Sequence, residues 1–553
     1  DFKAYVGHLG VAQQGKKKLG VLAVMMSGSH FVGAEEARRR TRYAVLSGLG
    51  ELDYAPVDNE HIGYVVTELE KNEPVRVPFE LYSEADTAST NTAFPQKVLV
   101  LWIDDAALSG GRRDADWTVN LQSLFDVLGV CDQSSQDCFT RIIGPYSSDE
   151  YTALLRTGLE TPGARHLPPI VSPSVTSDFL GKNEAPGVLR MIAKDDRVLD
   201  AVIGELVDNR DVPICAPPGR PAKTILLFGE WDTEYGRRAD QALKGSLEKA
   251  RRKHCSANSV PPEVAFYTFV TGLDGVTLAN GRTQSLKSER SGAAASGSGS
   301  ASQQIEWPES ADQRDYIRRL GQRLQLRSER EEPIAVGIVA SDTHDKLLLL
   351  QALRERFPRI PFFTTDLDAR YVHPMVRKWT RNLVVGSSFG LQLRQEIQAR
   401  TPPFRDVYQT ATYLATLAAM QLRSDASGQS QFNELSSRWL QQPMLYEVGR
   451  TRPVPLIARF DGNPGDSTRC SPRTLDKCVA SRRRTGRCRW KVESPTAVGC
   501  CSWPSPRRWC FGREDRRSSR RRRVARRMLP ERCRPSRGAM FSGCGSRAYF
   551  CVG

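Results

Sequence analysis

The sequence predicts an α/β protein with two lobes, each built on a mostly parallel sheet flanked by helices. The first observation is a set of continuous apolar runs, which suit strands buried on both faces of a parallel sheet. These runs are LGVLAVMM at Leu19–Met26, VLVLW at Val98–Trp102, TILLF at Thr224–Phe228 and IAVGIV at Ile334–Val339. The second is that helical patterns alternate with them, which is typical of parallel α/β folds. The third is that about ten strands are too many for one sheet of the usual size, so we expect two lobes.

Residues 461–553 differ in composition from the rest of the chain. They hold 24 Lys and Arg against 7 Asp and Glu, whereas residues 1–460 carry a net charge of −1. The net charge of +16 therefore says nothing about the partners of residues 1–460, where we expect no nucleic acid. We interpret 461–553 as a basic, Cys-rich tail that is disordered or out of frame. A nucleic-acid-binding arm and a disulfide or zinc module are the alternatives.

The first half of the chain is expected to alternate strands and helices. Residues 1–18 are polar and are interpreted as an N-terminal remnant, and the first strand follows them. A basic helix then carries Ala37, Thr41 and Ala44 on one side. Residues 53–75 are expected to be irregular. Beyond them we predict helices at Trp117–Leu128 and Asp149–Arg156, and strands at Val77–Tyr82, Val98–Trp102, Arg141–Ile143 and Pro169–Val171.

The second half is organised around the strand Thr224–Phe228 and the helix after it, which carries Ala239, Leu243 and Leu247 on one face. Residues 291–302 are all Ser, Gly or Ala, a composition typical of a flexible loop. The other predicted strands are Val188–Ile192, Val264–Val270, Ile334–Val339, Pro361–Thr365 and Leu383–Val385. The other predicted helices are Arg197–Val207, Tyr316–Leu326, Asp345–Phe357 and a long amphipathic one that begins at Val407.

Five segments in order along the chain resemble the type I periplasmic binding proteins. This family includes the leucine and branched-chain amino-acid binders and the ligand-binding regions of amino-acid and natriuretic-peptide receptors. The segments are SGSHFVGAEEARRRTRYAV, GPYSS, SPSVTS, EWDTEYGRR and FFTTDLDA. The resemblance covers residues 19–460 and implies a two-lobe clamp of the Venus flytrap type. It implies a first lobe of residues 19–187 and 383–436 and a second lobe of 188–382 and 437–460, with crossings near Gly187, Asn382 and Ser436.

This resemblance implies non-catalytic binding of a small polar ligand, such as an amino acid, between the lobes. No catalytic residue, metal ligand or cofactor is expected. Hydroxyls and backbone N–H groups after the first-lobe strands would bind a carboxylate, Tyr235 would offer a ring face and a hydroxyl, and Asp366 would oppose an ammonium group. The implied first-lobe residues are Ser147, Ser148, Ser172, Ser174 and Thr176. A helix N-cap is the alternative role for each serine, and a turn cap is the alternative for Asp366.

The same resemblance implies a periplasmic or other extracytoplasmic location, with an ABC permease or a membrane sensor as partner. Attachment to a membrane through an upstream segment is left open. No run of 18 apolar residues is present, so no membrane-spanning helix is expected. Cys131 and Cys138 flank the polar loop DQSSQD, and a disulfide between them would suit an oxidising compartment. Two free thiols are the alternative.

Two other functions remain open at this point. Asp366-Leu367-Asp368 is an Asp-x-Asp sequence, and two such carboxylates hold a divalent cation in sugar-nucleotide transferases. The first alternative is therefore a metal-dependent glycosyltransferase that uses Asp366 and Asp368. The second is an interaction scaffold in which the cleft is vestigial.

Overall fold

The computed structural model describes residues 19–26, 32–57, 62–68, 74–85, 95–105, 108, 121, 124–126, 139–152, 168–176, 188–220, 222–273, 314–327, 332–395, 397–421 and 443–456. The chain divides into two compact units, Asp1–Ser471 and Pro472–Gly553, and every described residue lies in the first unit. The predicted remnant at 1–18, the pair Cys131 and Cys138, the loop at 291–302 and the tail at 461–553 lie outside the described residues.

The described strands form two sheets. The first contains β1 Leu19–Met26, β2 Tyr54–Pro56, β3 Ile62–Glu68, β4 Pro74–Glu84, β5 Lys97–Asp104, β6 Phe139–Ile143, β7 Ile170–Ser172 and β8 Val188–Arg190. The second contains β9 Thr224–Glu230, β10 Glu263–Phe269, β11 Pro333–Val339, β12 Phe362–Thr365, β13 Val384–Ser387, β14 Met444–Val448 and β15 Pro453–Leu456.

Parallel pairing dominates both sheets. The first has the order β2-β4-β5-β1-β6-β7-β8, with β3 also on β4, and it is parallel from β5 through β8. The second has the order β10-β9-β11-β12-β13-β14-β15, and it is parallel from β10 through β13. Antiparallel strands occur at one edge of each sheet.

Helices cover the two sheets. Their bounds are α1 Val32–Glu51, α2 Asp195–Asp208, α3 Glu234–His254, α4 Arg314–Arg327, α5 Thr343–Arg354, α6 Arg377–Thr380 and α7 Val407–Gln421. Helices α1 and α7 pack on each other and on the first sheet, so these elements form the first lobe. Helices α2 to α6 pack with the second sheet and form the second lobe.

The central strands show why their apolar runs are continuous. Leu22 and Val24 of β1 face one hydrophobic core, while Val21 and Ala23 face a second core on the other side of the sheet. Strand β9 divides its side chains between two cores in the same way. Because successive side chains in a strand point to opposite faces, a strand covered on both sides must be apolar throughout. The predicted two-lobe α/β class is confirmed.

The chain crosses between the lobes later than expected. Val188–Arg190 pairs with β7 in the first sheet, so the first crossing follows Arg190 rather than Gly187. Strand β13 pairs with β12 in the second sheet, so the second crossing follows Ser387 rather than Asn382. In both places the chain adds one more strand to its sheet before it crosses to the other lobe. The third expected crossing, near Ser436, lies outside the described residues.

The expectation that residues 53–75 are irregular is wrong. They contain β2 and β3, and β4 begins at Pro74. Both short strands pair antiparallel with β4 at the edge of the first sheet. Strand β3 was not predicted because its exposed alternate positions, Ile62, Tyr64 and Val66, are apolar. The sequence therefore lacks the alternation of buried apolar and exposed polar residues that is typical of a half-buried strand.

A disulfide joins Cys215, in the segment between α2 and β9, to Cys255, just after α3, with a Cα separation of 5.6 Å. The two cysteines are 40 residues apart and were not predicted as a pair. The bond ties the segment that leads into β9 to the end of α3. In the part of the chain that the structure describes, no helix has the length and apolarity needed to cross a bilayer.

Candidate functional site

A cavity of about 710 Å³ lies between the two lobes, where strands of both sheets end. In open α/β sheets this is the end at which ligands bind. Every predicted ligand-binding residue except Ser172 lines it: Ser147, Ser148, Ser174 and Thr176 from the first lobe, and Tyr235 and Asp366 from the second. The tertiary fold therefore brings together residues that are up to 219 positions apart in the sequence.

Ser172 is the exception. Its side chain is fully buried, and its hydroxyl donates to the carbonyl of Pro145 at 2.8 Å. The same oxygen accepts the N–H of Val175 at 3.3 Å. The expected ligand contact at Ser172 is therefore corrected: its hydroxyl joins the two first-lobe loops and does not reach the cavity.

Ser147 lines the cavity and also caps the helical segment 148–152. Its Oγ accepts the N–H of Glu150 at 3.1 Å, and Glu150 Oε2 accepts the N–H of Ser147 at 3.3 Å. This reciprocal pair is a capping box, which the Ser-x-x-Glu spacing could have predicted. Burial raises the pKa of Glu150 well above its ordinary value, and the adjacent carboxyl of Asp105 on the cavity wall raises it further.

The hydroxyls of the second first-lobe loop bond groups outside that loop. Ser174 donates to the carbonyl of Tyr146 at 2.5 Å, so towards a ligand its hydroxyl can act only as an acceptor. Thr176 hydrogen-bonds the carboxyl of Asp195, the first residue of α2. Asp195 keeps some exposed surface but is surrounded by protein, and this burial, with repulsion from Asp366, raises its pKa to about 8.

Glu230 organises the second-lobe wall and was not predicted. It is the last residue of β9 and is fully buried. One carboxylate oxygen accepts the N–H and the hydroxyl of Ser341 at 2.7 and 2.9 Å, and the other accepts the hydroxyl of Thr233 at 2.9 Å. Burial raises the pKa of Glu230 despite these bonds. The carboxylate thus ties the end of β11 to Thr233, the N-cap of α3, and so positions Tyr235.

Tyr235 and Asp366 meet on this wall. The Tyr235 hydroxyl lies 2.5 Å from Thr365 Oγ1 and donates to Asp366 Oδ2 at 3.1 Å. Burial, followed by the charge of Asp366, raises the pKa of Tyr235 well above its ordinary value. Asp366 has a φ of 64°, in the left-handed region that Asp adopts more readily than most residues.

Lys346 is the cation behind Asp366, and no sequence signal identified it. Its side chain is fully buried, and its Nζ donates to the carbonyl of Thr365 at 2.9 Å and to Asp366 Oδ2 at 3.3 Å. Burial alone would lower the pKa of Lys346, but Tyr371, Asp366 and Glu230 outweigh it and the pKa is raised. The carboxylate of Asp366 is therefore already partly neutralised from inside the lobe.

Tyr408 adds a contact from the other lobe. It is the second residue of α7, lines the cavity, and hydrogen-bonds Asp366. Burial and the neighbouring Asp366 raise its pKa well above the ordinary value. Two tyrosines, one from each lobe, thus converge on one carboxylate. Tyr408 was not predicted as a site residue, because the sequence showed it only as part of the long amphipathic helix.

The two carboxylates of the Asp-x-Asp sequence have different cationic partners. Asp368 is buried, and Arg370 binds both of its oxygens, with Nη2 2.8 Å from Oδ2. Asp366 faces Lys346 and Tyr235 instead. A shared divalent cation would have to displace both pairings. Among the described residues, no group of three His, Cys, Asp or Glu is placed to hold a metal ion.

The rim of the cavity carries paired charges. Arg40 on α1 forms an ion pair with the buried Asp406, just before α7. Burial raises the pKa of Asp406, and the charge of Arg40 opposes this shift. The cavity thus offers hydroxyls, the phenol groups of Tyr146, Tyr235 and Tyr408, and carboxylates that are largely committed to internal partners. Such a wall can bind a polar ligand by hydrogen bonds and ring contacts.

Comparison with known proteins gives structural matches without close sequence relatives. No family model and no curated protein sequence matches the chain. A solute-binding protein from R. palustris in complex with benzoate is 11% identical and matches 80% of this chain and 96% of its own, with a TM-score of 0.43.

Two further solved structures match to a similar degree. A branched-chain amino-acid ABC transporter periplasmic ligand-binding protein from Burkholderia xenovorans is 10% identical over 79% of this chain and 94% of its own, with a TM-score of 0.44. A fatty acid ABC transporter substrate-binding protein from Thermomonospora curvata is 9% identical over 82% and 95%, with a TM-score of 0.43. All three are binding proteins of ABC transporters. At these TM-scores the matches do not assign the chain to a family.

Proposed function

We propose that residues 19–456 form a non-catalytic clamp that binds a small polar ligand between its lobes. The observation that carries this proposal is the cavity of about 710 Å³, whose walls come from both lobes and whose lining is built from strand-end loops. A ligand that touches Ser147 and Tyr235 at once would stabilise the closed arrangement. Differential affinity of this kind is what a closure mechanism requires.

The lining favours a ligand bound by hydrogen bonds and ring contacts. The Ser147 hydroxyl accepts the N–H of Glu150 and also bonds the Glu150 carboxyl, and Ser174 has donated its proton and can only accept. Tyr235 and Tyr408 present phenol rings. An amino acid or a similar small molecule fits this mixture of donors, acceptors and aromatic faces. A ligand ammonium group at Asp366 would then share that carboxylate with the ammonium of the buried Lys346.

The disulfide favours an extracytoplasmic protein. Disulfides persist in oxidising compartments and are rare in the cytosol, and Cys215–Cys255 joins two elements of the second lobe. A periplasmic or similar location suits a clamp that feeds an ABC permease or signals through a membrane sensor.

A thermal-shift screen of the full chain tests this function. The probes are the common amino acids, small amides, and nucleotide sugars with Mn²⁺. A ligand at 100 times its Kd adds roughly 2.7 kcal/mol to the stability of the folded state, which raises Tm. We expect an amino acid or amide to raise Tm, and we expect Asp366→Asn to reduce that rise. Asp315→Asn is the matched control, because Asp315 pairs with arginines on the exposed face of α4.

Other outcomes would identify a different function. A shift that requires both a nucleotide sugar and Mn²⁺ would favour the glycosyltransferase, especially if Asp368→Asn abolished it. A rise in Tm that survives both Asp366→Asn and Tyr235→Phe would place the ligand outside this cavity and contradict the proposal. No shift from any probe class would favour the scaffold.

A further inference from the structure

One carboxylate crosses from the first lobe to the second outside the cavity. Asp149 Oδ2 accepts the backbone N–H of Glu234 at 3.1 Å, and Asp149 Oδ1 accepts a hydrogen bond from Arg237 Nη2 at 3.2 Å. Asp149 follows β6 of the first lobe, whereas Glu234 and Arg237 belong to the first turn of α3 in the second. Neither Asp149 nor Arg237 lines the cavity.

The second-lobe side of this contact is built to receive an anion. The N-terminus of α3 carries partial positive charge, and Asp149 bonds one of its N–H groups. Arg237 is held in place by Glu234 Oε2 at 2.9 Å and by the carbonyl of Trp231 at 2.9 Å. The side chains of Arg237 and Asp149 are 28% and 32% exposed, so solvent screens the pair only in part.

We propose that Asp149 sets the ligand affinity of the clamp by stabilising its closed form through Glu234 and Arg237. This inference rests on the proposed function of the cavity. A ligand that binds the closed form has an apparent affinity proportional to the population of that form. Asp149 is therefore a positioning residue: it touches no ligand, yet it determines how much of the free protein is ready to bind.

The test measures the separation of the lobes in the full chain without any ligand. Because the sequence has 13 cysteines, donor and acceptor fluorophores are placed by genetically encoded unnatural residues at Arg39 on α1 and Lys244 on α3, both exposed. We expect Asp149→Asn to lower the ratio of closed to open molecules about 1.5- to 5-fold, as for a partly exposed charged contact. Arg237→Ala should act in the same direction.

Matched variants separate the bridge from general effects on α3. Arg252→Ala removes an exposed arginine that pairs with Glu248 within α3, and it should leave the lobe separation unchanged. Asp149→Glu should recover part of the closed population, because it restores the negative charge. Combining Asp149→Asn with Arg237→Ala should change the ratio less than the sum of the single effects, since the residues share one contact.

Salt supplies a readout that a purely structural role would not give. Raising the salt concentration should open the wild-type clamp and have little effect on Asp149→Asn, because the variant has lost the charge that salt screens. An unchanged closed fraction in a folded Asp149→Asn protein, or equal salt responses in both proteins, would overturn the proposal. Failure to find any ligand would count against the proposed function alone, since the lobe separation is measured without one.

Discussion

The two walls of the cavity are built on different principles. On the first-lobe wall, Ser147 caps its own helical segment, and the neutral hydroxyl of Ser174 donates to the carbonyl of Tyr146 in the other loop. On the second-lobe wall, the buried charges of Glu230 and Lys346 join loops from different strands. Neutral hydrogen bonds therefore hold the first wall together, whereas buried charges hold the second wall together. We therefore expect substitutions to cost more on the second wall.

The largest effect is expected at Lys346. Lys346→Met removes a fully buried ammonium and leaves the carboxylate of Asp366 without its internal partner. Breaking a buried pair in this way costs about 3 kcal/mol or more of unfolding free energy. Chemical denaturation measures the change. Lys244→Met, on the exposed face of α3, is the control and should cost less than about 0.5 kcal/mol. A loss at Lys346 as small as the control's would show that the second wall does not depend on its buried charge.

A pair of glycines on α3 gives the next largest effect. A Cβ at Gly236 would overlap the backbone oxygen of Glu230 and lie 2.6 Å from its nitrogen, whereas a Cβ at Gly245 meets nothing within 4 Å. We expect Gly236→Ala to destabilise the protein by about 2 kcal/mol, since the backbone of the wall must shift. Gly245→Ala should stabilise it by about 0.5–1 kcal/mol through helix propensity. Thermal unfolding of the two variants measures both, and equal effects would mean that α3 can move away from Glu230.

Asp195 joins the two walls and should make stability depend on pH. Its pKa rises from 3.8 to about 8 on folding, so between these values the folded protein keeps a proton that the unfolded chain has released. Its contribution to stability is therefore present below pH 4 and is lost as the pH rises to about 8, by at most roughly 1.4 kcal/mol per pH unit. Asp195→Asn should flatten this slope in denaturation curves from pH 5 to 8. The exposed neighbour Asp196 is the control, and an identical slope in Asp196→Asn and Asp195→Asn would contradict the assignment.

The smallest effect is expected on the first wall. Ser147→Ala removes an N-cap, which costs about 1 kcal/mol of stability, and one ligand hydrogen bond worth roughly 0.5–1.5 kcal/mol. Ser147→Asp should restore the cap, because aspartate accepts the same N–H, but should not restore the hydroxyl that faces the cavity. Unfolding curves and calorimetry with a ligand found in the screen separate the two roles. If Ser147→Ala cost as much as Lys346→Met, the two walls would not differ as proposed.

The sequence determined the fold class and part of the cavity lining. Strands β1 and β9 are apolar on both faces, and their continuous apolar runs therefore predicted buried parallel strands. Polar residues directly after such strands, including Ser147, Tyr235 and Asp366, were expected at one edge, and the structure brings them to one cavity. These inferences depend on local pattern and on the geometry common to all parallel sheets.

Only the tertiary structure decided which polar groups are paired. Lys346 lies in a predicted helix, Glu230 ends an apolar strand, and Cys215 pairs with a cysteine 40 residues away. None of these partners follows from local spacing, because burial brings together groups from separate elements. Ser172 shows the same limit, since its side chain turned into the protein while its loop neighbours Ser174 and Thr176 reached the cavity. A strand-end hydroxyl can satisfy either its own loop or a ligand, and only the direction of the side chain decides which.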